Sequence, residues 1–484
     1  VSSDGGQPQA HLVMICRCAN LSRMLRLLLA IFLTALALAA KGPVYIVLWF
    51  DTEDYIEPAA DDAALRIATD LEKAGVRATF KVVGEKARVL ESRGRRDVIR
   101  ALAQHDIGYH SNFHSMQPTP ALYLRGMDWL AGAAEFERRE RPGVDDIKRI
   151  FGVTPSCYGQ PGSSWGPQSY RALLRLGIPV YLDEGEQVGV DEQPFWLGGM
   201  LHVFRMGGNL IRPALNDENL LPQTFEKFDR AAEALEARGG GVISTYFHPT
   251  EFVTSAFWDL NFAKGANPER SDWKKPPRRT AEDSERCYRI LLRYVEHAKA
   301  RAGVRFVTAR DLPMLYGSPA VRVNDRARIA RHMAERQTFL ATEDGALSAA
   351  EMLQALLGME PGAVEGPVAR GESTYHSGTI GRPAFERAKV DMAGTIRMNR
   401  RLPADVWIGS EKLSLVDFAA TLAADDGASA AVMVRKGNLE MEKYVSTDAT
   451  GTFSWPIHPE GFSAPQLLEL ARLQAWTLKP ARLK

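Results

Sequence analysis

The chain has little cysteine: four residues among 484. Cys16 and Cys18 stand ahead of an N-terminal apolar run, which leaves Cys157 and Cys287 for whatever folds behind it. Two thiols exclude a cysteine-built zinc site. They permit one disulfide, but sequence does not place their Cα atoms within bridging distance. A surplus of charge is also missing. Lys and Arg number 60 against 59 Asp and Glu, a formal net charge of +1, so no global field draws the chain to nucleic acid or to an anionic membrane. The short basic clusters at Arg93 to Arg96 and Lys274 to Arg279 read as solvated loops. Any metal held here must use imidazole and carboxylate.

Apolar runs on the scale of a membrane are missing too. The longest candidate, Leu27 to Ala40, has about 14 residues, short for a stable span. Arg23 and Arg26 precede it, and Ala37-Leu38-Ala39 offers a cleavage site. That is the plan of a secretory signal peptide. Residues 1–40 are therefore expected to be an N-terminal extension and signal outside the fold, with Met24 as the start. The chain is expected to be exported, to the periplasm, the cell surface or the medium. An uncleaved signal would make it N-terminally anchored; after cleavage no stable membrane span is expected.

What is present is ordinary globular material, 45% hydrophobic and 25% charged, long enough for two or three domains. Val44 to Phe50 is a continuous apolar run, as in a parallel strand buried on both faces. It ends in Asp51-Thr52-Glu53-Asp54. Three carboxylates where a buried strand emerges call for neutralisation by a cation, or belong to a helix cap in a solvated loop. Helical spacing from Asp61 to Ala74 stops at Gly75, Ala78 to Gly84 reads as a second strand, and Ile107 leads into His110. Then come a helix from about Tyr123 to Phe151, a Pro/Gly loop at Pro155 to Gly162 and a helix from Pro167 to Leu176. Strands follow at Pro179 to Leu182 and Leu201 to Met206, a helix at Thr224 to Arg238, and a strand from Val242 to Phe247 with His248 at its end. A helix from Glu282 to Ala302 and a strand from Val304 to Val307 close the series. Repeated βα units over about 270 residues predict one barrel-like or doubly wound α/β domain at 41–317, with function at the strand C-terminal ends.

From residue 318 to 484 strand character thins and helices and loops dominate. Ala346 to Glu351, Lys412 to Asp417 and Gly461 to Gln466 each place a serine three residues before an acid or amide, ahead of an apolar helix. Any capped amphipathic helix looks like this. A true repeat would make the region wall-binding or spacer modules, and Leu402 to Gly409 is mildly similar to phrases in cell-wall-binding repeats.

His110 and His114, four apart beside small polar residues, can present two imidazoles to one metal ion. Around them, Phe50-Asp-Thr-Glu-Asp54, Ala78-Thr-Phe-Lys-Val-Val-Gly84, His105 to His114, Tyr158-Gly-Gln-Pro-Gly162 and Tyr246-Phe-His-Pro-Thr-Glu251 occur in an order that resembles the polysaccharide deacetylases, the carbohydrate esterases of family four. The resemblance covers about residues 44–310. It implies a distorted (β/α) barrel, which the smaller, mostly helical C-terminal region would follow. It also implies a divalent metal, zinc before cobalt or nickel, on His110, His114 and an acid. Asp51 would be the general base and His248 the general acid. For the third ligand the resemblance implies Glu53, since related members space the two carboxylates one residue apart, and i and i+2 on an extended strand face the same way; Asp54 is the alternative. The family's Pro loop usually carries an Arg two residues before the Pro, orienting the catalytic carboxylate; here that position is Gly159. Asp183 stands where the family often has a supporting acid. His202 reads as structural, and Trp165, Tyr246 and Phe247 as core aromatics able to stack on sugar.

The implied activity is removal of N-acetyl groups from a polysaccharide or peptidoglycan by metal-activated water. Alternatives are hydrolysis of another non-peptide C–N bond, as in allantoinase-like relatives, or a non-catalytic barrel that binds carbohydrate or cell wall. A two-carboxylate glycosidase leaves the histidine pair without a role.

Overall fold

The computed structural model describes residues 42–317, 325–342 and 345–484. The expected signal segment, Cys16 and Cys18 ahead of it, and the boundary expected at 317/318 lie outside the described residues. Among the described residues no helix is long and apolar enough to cross a membrane.

A ten-stranded mixed sheet organises the chain. Its strands are β1 (Val44–Thr52), β2 (Thr79–Val82), β3 (Asp106–Tyr109), β4 (Cys157–Tyr158), β5 (Val180–Leu182), β6 (Phe195–Leu197), β7 (Met200–Val203), β8 (Gly241–Phe247) and β9 (Val304–Val307), with a tenth from the far C-terminus. In space they run β6-β7-β5-β4-β3-β2-β1-β8, parallel except for the β6/β7 hairpin. β1 pairs with β8 along one edge; its other edge pairs with β9 at Val44–Val47 and with β2 at Trp49–Thr52. The sheet curls without closing, a distorted half-barrel wrapped by helices.

The apolar run of β1 explains its place at the centre. Leu48 and Phe50 pack under the helices, Phe50 stacking on Phe80 at 5.0 Å, while Val47 and Trp49 turn to the opposite face against Val180, Leu201 and Val203. Period-two alternation carries Asp51 and Glu53 onward on the face of Trp49, into the mouth of the barrel. The long helix starts at Trp129, later than its periodicity predicts. Asp128 is the cap, its carboxylate accepting from the N–H groups of Leu130 and Ala131, and a short separate helix, Pro120–Leu124, precedes it.

Beyond residue 325, helices alternate with three small antiparallel pairs: β10 (Leu340–Thr342) with β11 (Gly345–Leu347), β12 (Thr379–Gly381) with β15 (Ala431–Met433), and β13 (Asp405–Ile408) with β14 (Glu411–Ser414). Two of the three serine phrases behave alike. Ser348 and Ser414 each end a hairpin and cap the following helix, Ser348 in a reciprocal box with Glu351. The third departs from the expectation: its helix starts at Pro465 behind Ala464 with no side-chain cap, and Ser463 donates instead to the carbonyl of Ala449. The chain then returns to the large sheet, where β16 (Lys479–Pro480) pairs antiparallel with β6.

The disulfide that two cysteines permit does not form. Cys157 and Cys287 are both free and buried; the Cys287 thiol donates to the carbonyl of Leu215, and Cys157 sits on β4 inside the sheet.

Candidate metal and catalytic site

The site lies where β1, β3 and β8 end. After β3 the chain turns sharply, with Ser111 (φ 64°) and His114 (φ 56°) both left-handed, a conformation non-glycine residues hold only when their surroundings impose it. Here the N–H groups of Gly84 and Glu85 bind the carbonyls of Ser111 and Asn112, and buried Glu140 accepts from the Asn112 N–H at 2.7 Å and the Tyr109 hydroxyl at 2.6 Å. The turn brings both imidazoles onto one carboxylate oxygen. Glu53 Oε2 lies 3.0 Å from His110 Nε2 and 2.8 Å from His114 Nε2. The other oxygen, Oε1, is tied up by the indole N–H of Trp258 at 2.8 Å.

Glu53, His110 and His114 thus form one buried donor group. A zinc ion with bonds of about 2.0–2.1 Å separates tetrahedral donors by roughly 3.3 Å, a little more than the distances here. The hydrogen-bond chemistry also calls for a cation. His110 Nδ1 faces the Gly159 carbonyl at 3.0 Å, while Nε2 faces the Glu53 carboxylate. A neutral imidazole has a single N–H, so both contacts are favourable only if a second proton or a metal ion lies between Nε2 and Oε2. Burial raises the Glu53 pKa, but the imidazoles of His114, His248 and His110 outweigh it and hold the group well below the usual carboxylate range. The donor set fits a divalent metal.

Asp54, the alternative third ligand, is outside this group. Its Oδ1 accepts from the N–H groups of Ile56 and Glu57, and its Oδ2 from the Thr250 hydroxyl at 2.7 Å. The chain has left the extended conformation there, and the carboxylate closes a turn.

Asp51 stands beside the donor group, its Oδ1 3.6 Å from His110 Nδ1 and its Oδ2 3.6 Å from His248 Nε2. Its charge partner is Lys81 of β2, wholly buried, whose ammonium lies 2.9 Å from Asp51 Oδ1, 2.7 Å from Asp183 Oδ2 and 4.0 Å above the Trp49 ring. Asp183 therefore supports Asp51 through Lys81, and its carboxylate also lies within 4.8 Å of a His110 ring nitrogen. A Cβ at Gly159 would fall 2.0 Å from Lys81 Nζ and 2.2 Å from Asp183 Oδ2. The ammonium already occupies the space into which an Arg at 159 would project. Removing one partner from such a buried pair costs about 3–5 kcal/mol.

His248 follows β8. Its Nδ1 contacts Glu251 Oε2 at 2.9 Å, and Glu251 is paired in turn with Arg212, which lies over the Tyr246 ring. Burial would lower the His248 pKa, but Glu251, Glu53 and Asp51 raise it to about 9. Burial would raise Glu251, but His248 and Arg212 bring it to about 2.

The linkage has a definite sign. His248 is raised above its unfolded value near 6.5, so its contribution is fully present below about pH 6.5 and is lost as pH rises through 9. Glu251 contributes above about pH 4.5 and loses that contribution as pH falls toward 2. In chelator-treated protein, thermal stability is expected to fall between pH 6.5 and 9, by on the order of 2–3 kcal/mol. A His248→Asn variant should show a shallower slope, not a flat one, because burial lowers the His114 pKa but Glu53 raises it above its ordinary value, with the same sign; an identical slope in the variant would remove His248 as its source.

Lys81, Trp258 and Glu251 were not among the residues expected from sequence. His202 is structural, stacked between Phe195 and Tyr181, and burial pulls its pKa down to about 3. Trp165 and Phe247 are core residues, while Tyr246 lines the site cavity.

No protein-family model matches the chain, and no curated protein matches it. Solved structures similar to it are polysaccharide deacetylases and other family-four proteins at low identity. One, assigned as a polysaccharide deacetylase from Mycobacterium smegmatis, is 16% identical, with 57% of this chain and 91% of that one covered at a TM-score of 0.35. PuuE allantoinase is 16% identical, covering 57% and 92%, at a TM-score of 0.37. A family 4 acetyl xylan esterase from Clostridium thermocellum, in complex with a cobalt ion, is 18% identical, covering 57% and 93%, at a TM-score of 0.29.

Proposed function

We propose that this chain is an exported, metal-dependent hydrolase that removes N-acetyl groups from the sugars of a polysaccharide or peptidoglycan. One observation carries the reading: a three-donor metal group, Glu53–His110–His114, flanked by a carboxylate and an imidazole with opposite roles available to them. A divalent cation on those donors would supply Lewis acidity to the amide carbonyl and to the attacking water. Asp51 takes the proton from that water, its other interactions fixed by Lys81. His248, protonated and hydrogen-bonded to Glu251, gives its proton to the departing nitrogen, so the C–N bond breaks to an amine and a carboxylate. A separate acid suits an amide, whose leaving amine is too basic to depart unprotonated.

The test combines metal analysis with an acetate-release assay on chitin and peptidoglycan oligosaccharides, with allantoin as the competing C–N substrate. About one divalent ion per chain is expected, with acetate released by the zinc-, cobalt- or nickel-loaded protein and lost on chelation. Failure to bind any of the three metals would sink the mechanism. Turnover of allantoin alone would move the substrate to another class.

A further inference from the structure

We propose that the C-terminal region completes a sugar-binding subsite, in which Trp455 is the stacking face for one pyranose ring, Phe257 borders it edge-on and Glu184 accepts hydrogen bonds from the ring's hydroxyls. The substrate's class rests on the hydrolase reading above; the placement rests on the geometry of the cavity. That cavity, about 200 Å³, is lined by Asp51, Glu53, His248, Glu184, Phe257 and Trp455, with the Phe257 ring edge-on to that of His248 at 4.9 Å. It is smaller than the ~300–1,000 Å³ of sites that enclose a drug-sized ligand, and it suits one monosaccharide unit with the rest of a chain outside.

Trp455 is 37% exposed, yet it is held firmly. Its backbone N–H donates to Ser163 Oγ at 2.9 Å, and its indole N–H donates to buried Asp259 at 2.7 Å. Phe257 meets it edge-on at 5.8 Å and 83°. Gly162 of the Pro/Gly loop (φ 53°) lies directly under the indole, where a Cβ would stand 2.3 Å from Cδ1. A large aromatic surface left partly open and immobilised from three sides loses little entropy when a flat partner docks on it. In the same lining, Glu184 Oε2 has no hydrogen-bond partner among the described residues. A cavity that offers both an aromatic face and acids suits a ligand with one C–H face and a hydroxyl edge, which is a pyranose. A purely apolar or anionic ligand would leave the acids unpaired or repelled. A ring seated there has its N-acyl group within the same cavity as Asp51 and His248.

The experiment uses metal-loaded protein and the tetramer of N-acetylglucosamine, with ethyl acetate as an acetyl substrate that has no ring to stack. Trp455→Ala is expected to raise KM and Kd for the tetramer about tenfold or more, to change kcat less, and to lower ethyl acetate hydrolysis far less than it lowers tetramer turnover at low concentration. Glu184→Gln should weaken tetramer binding in the same direction. If Trp455→Ala fails to fold, Trp455→Leu, which keeps bulk without an indole face, takes its place. Unchanged tetramer affinity, or equal loss on both substrates, overturns the subsite. Calorimetric binding in an Asp51→Asn background separates the two readings. Trp455-dependent binding without acetate release by the wild type leaves the subsite standing and removes the hydrolase. Acetate release that ignores Trp455 does the reverse, and neither binding nor release removes both.

Discussion

Asp51→Asn is expected to lower turnover by about 10³-fold or more while the protein keeps its metal. The carboxylate lies next to the donor group but is not one of the three atoms that converge on a common point. Asn keeps the shape and the contact to Lys81 but offers no site for a proton, so the loss should fall on kcat with KM little changed. Lys81 would then face Asp183 as its one full counter-charge, so melting temperature should be measured alongside. A fold that survives with metal bound and turnover lost places the defect at the proton transfer. Activity within tenfold of the wild type would assign the base elsewhere, and Asp183 would be examined first.

The double replacement His110→Ala/His114→Ala should remove bound metal altogether, from about one ion per chain to less than a tenth, and activity with it. Two of three donors vanish, and Glu53 keeps only its hydrogen bond from Trp258. The variant should still fold, because the turn is held mainly by backbone contacts from Gly84 and Glu85 and by Glu140. Relief of repulsion in the metal-free state, or loss of the His–Glu contacts, will shift its melting temperature in either direction, so metal content by elemental analysis decides. Retention of one ion per chain would show that the metal sits elsewhere, since the second buried group, Asp51–His110–Asp183, also loses His110 in this variant.

Much of this was legible in the sequence because parallel strands buried on both faces read as unbroken apolar runs. β1 and β8 stand out for that reason, and the residues that follow their apolar runs are found at the strand ends, Asp51 next to last in β1 and His248 directly after β8. The choice of Glu53 over Asp54 comes from the resemblance and agrees with alternation, and the geometry places Glu53, one residue past the end of β1, against the histidines. Short strands held only by their neighbours were harder. β4 has two residues, and β6 was not read at all, although Gly198-Gly199, both left-handed, marks the hairpin that joins it to β7. Glu251 was quoted within its motif without a role, yet an acid three residues after His248 across a turn is the reciprocal capping spacing. Lys81, Trp258 and Trp455 carry no local signal. Each reaches the site from a different part of the chain, and only packing shows where a side chain 102 or 205 residues away will end.

The crowding between Lys81 and Gly159 ties two distant positions into one unit of heredity. A side chain at 159 has no room while the ammonium is present, and loss of the ammonium leaves two buried acids facing each other. Neither change is tolerable first, so the pair can drift only by a simultaneous step. Descendants of this sequence should therefore keep lysine and glycine together or exchange them together.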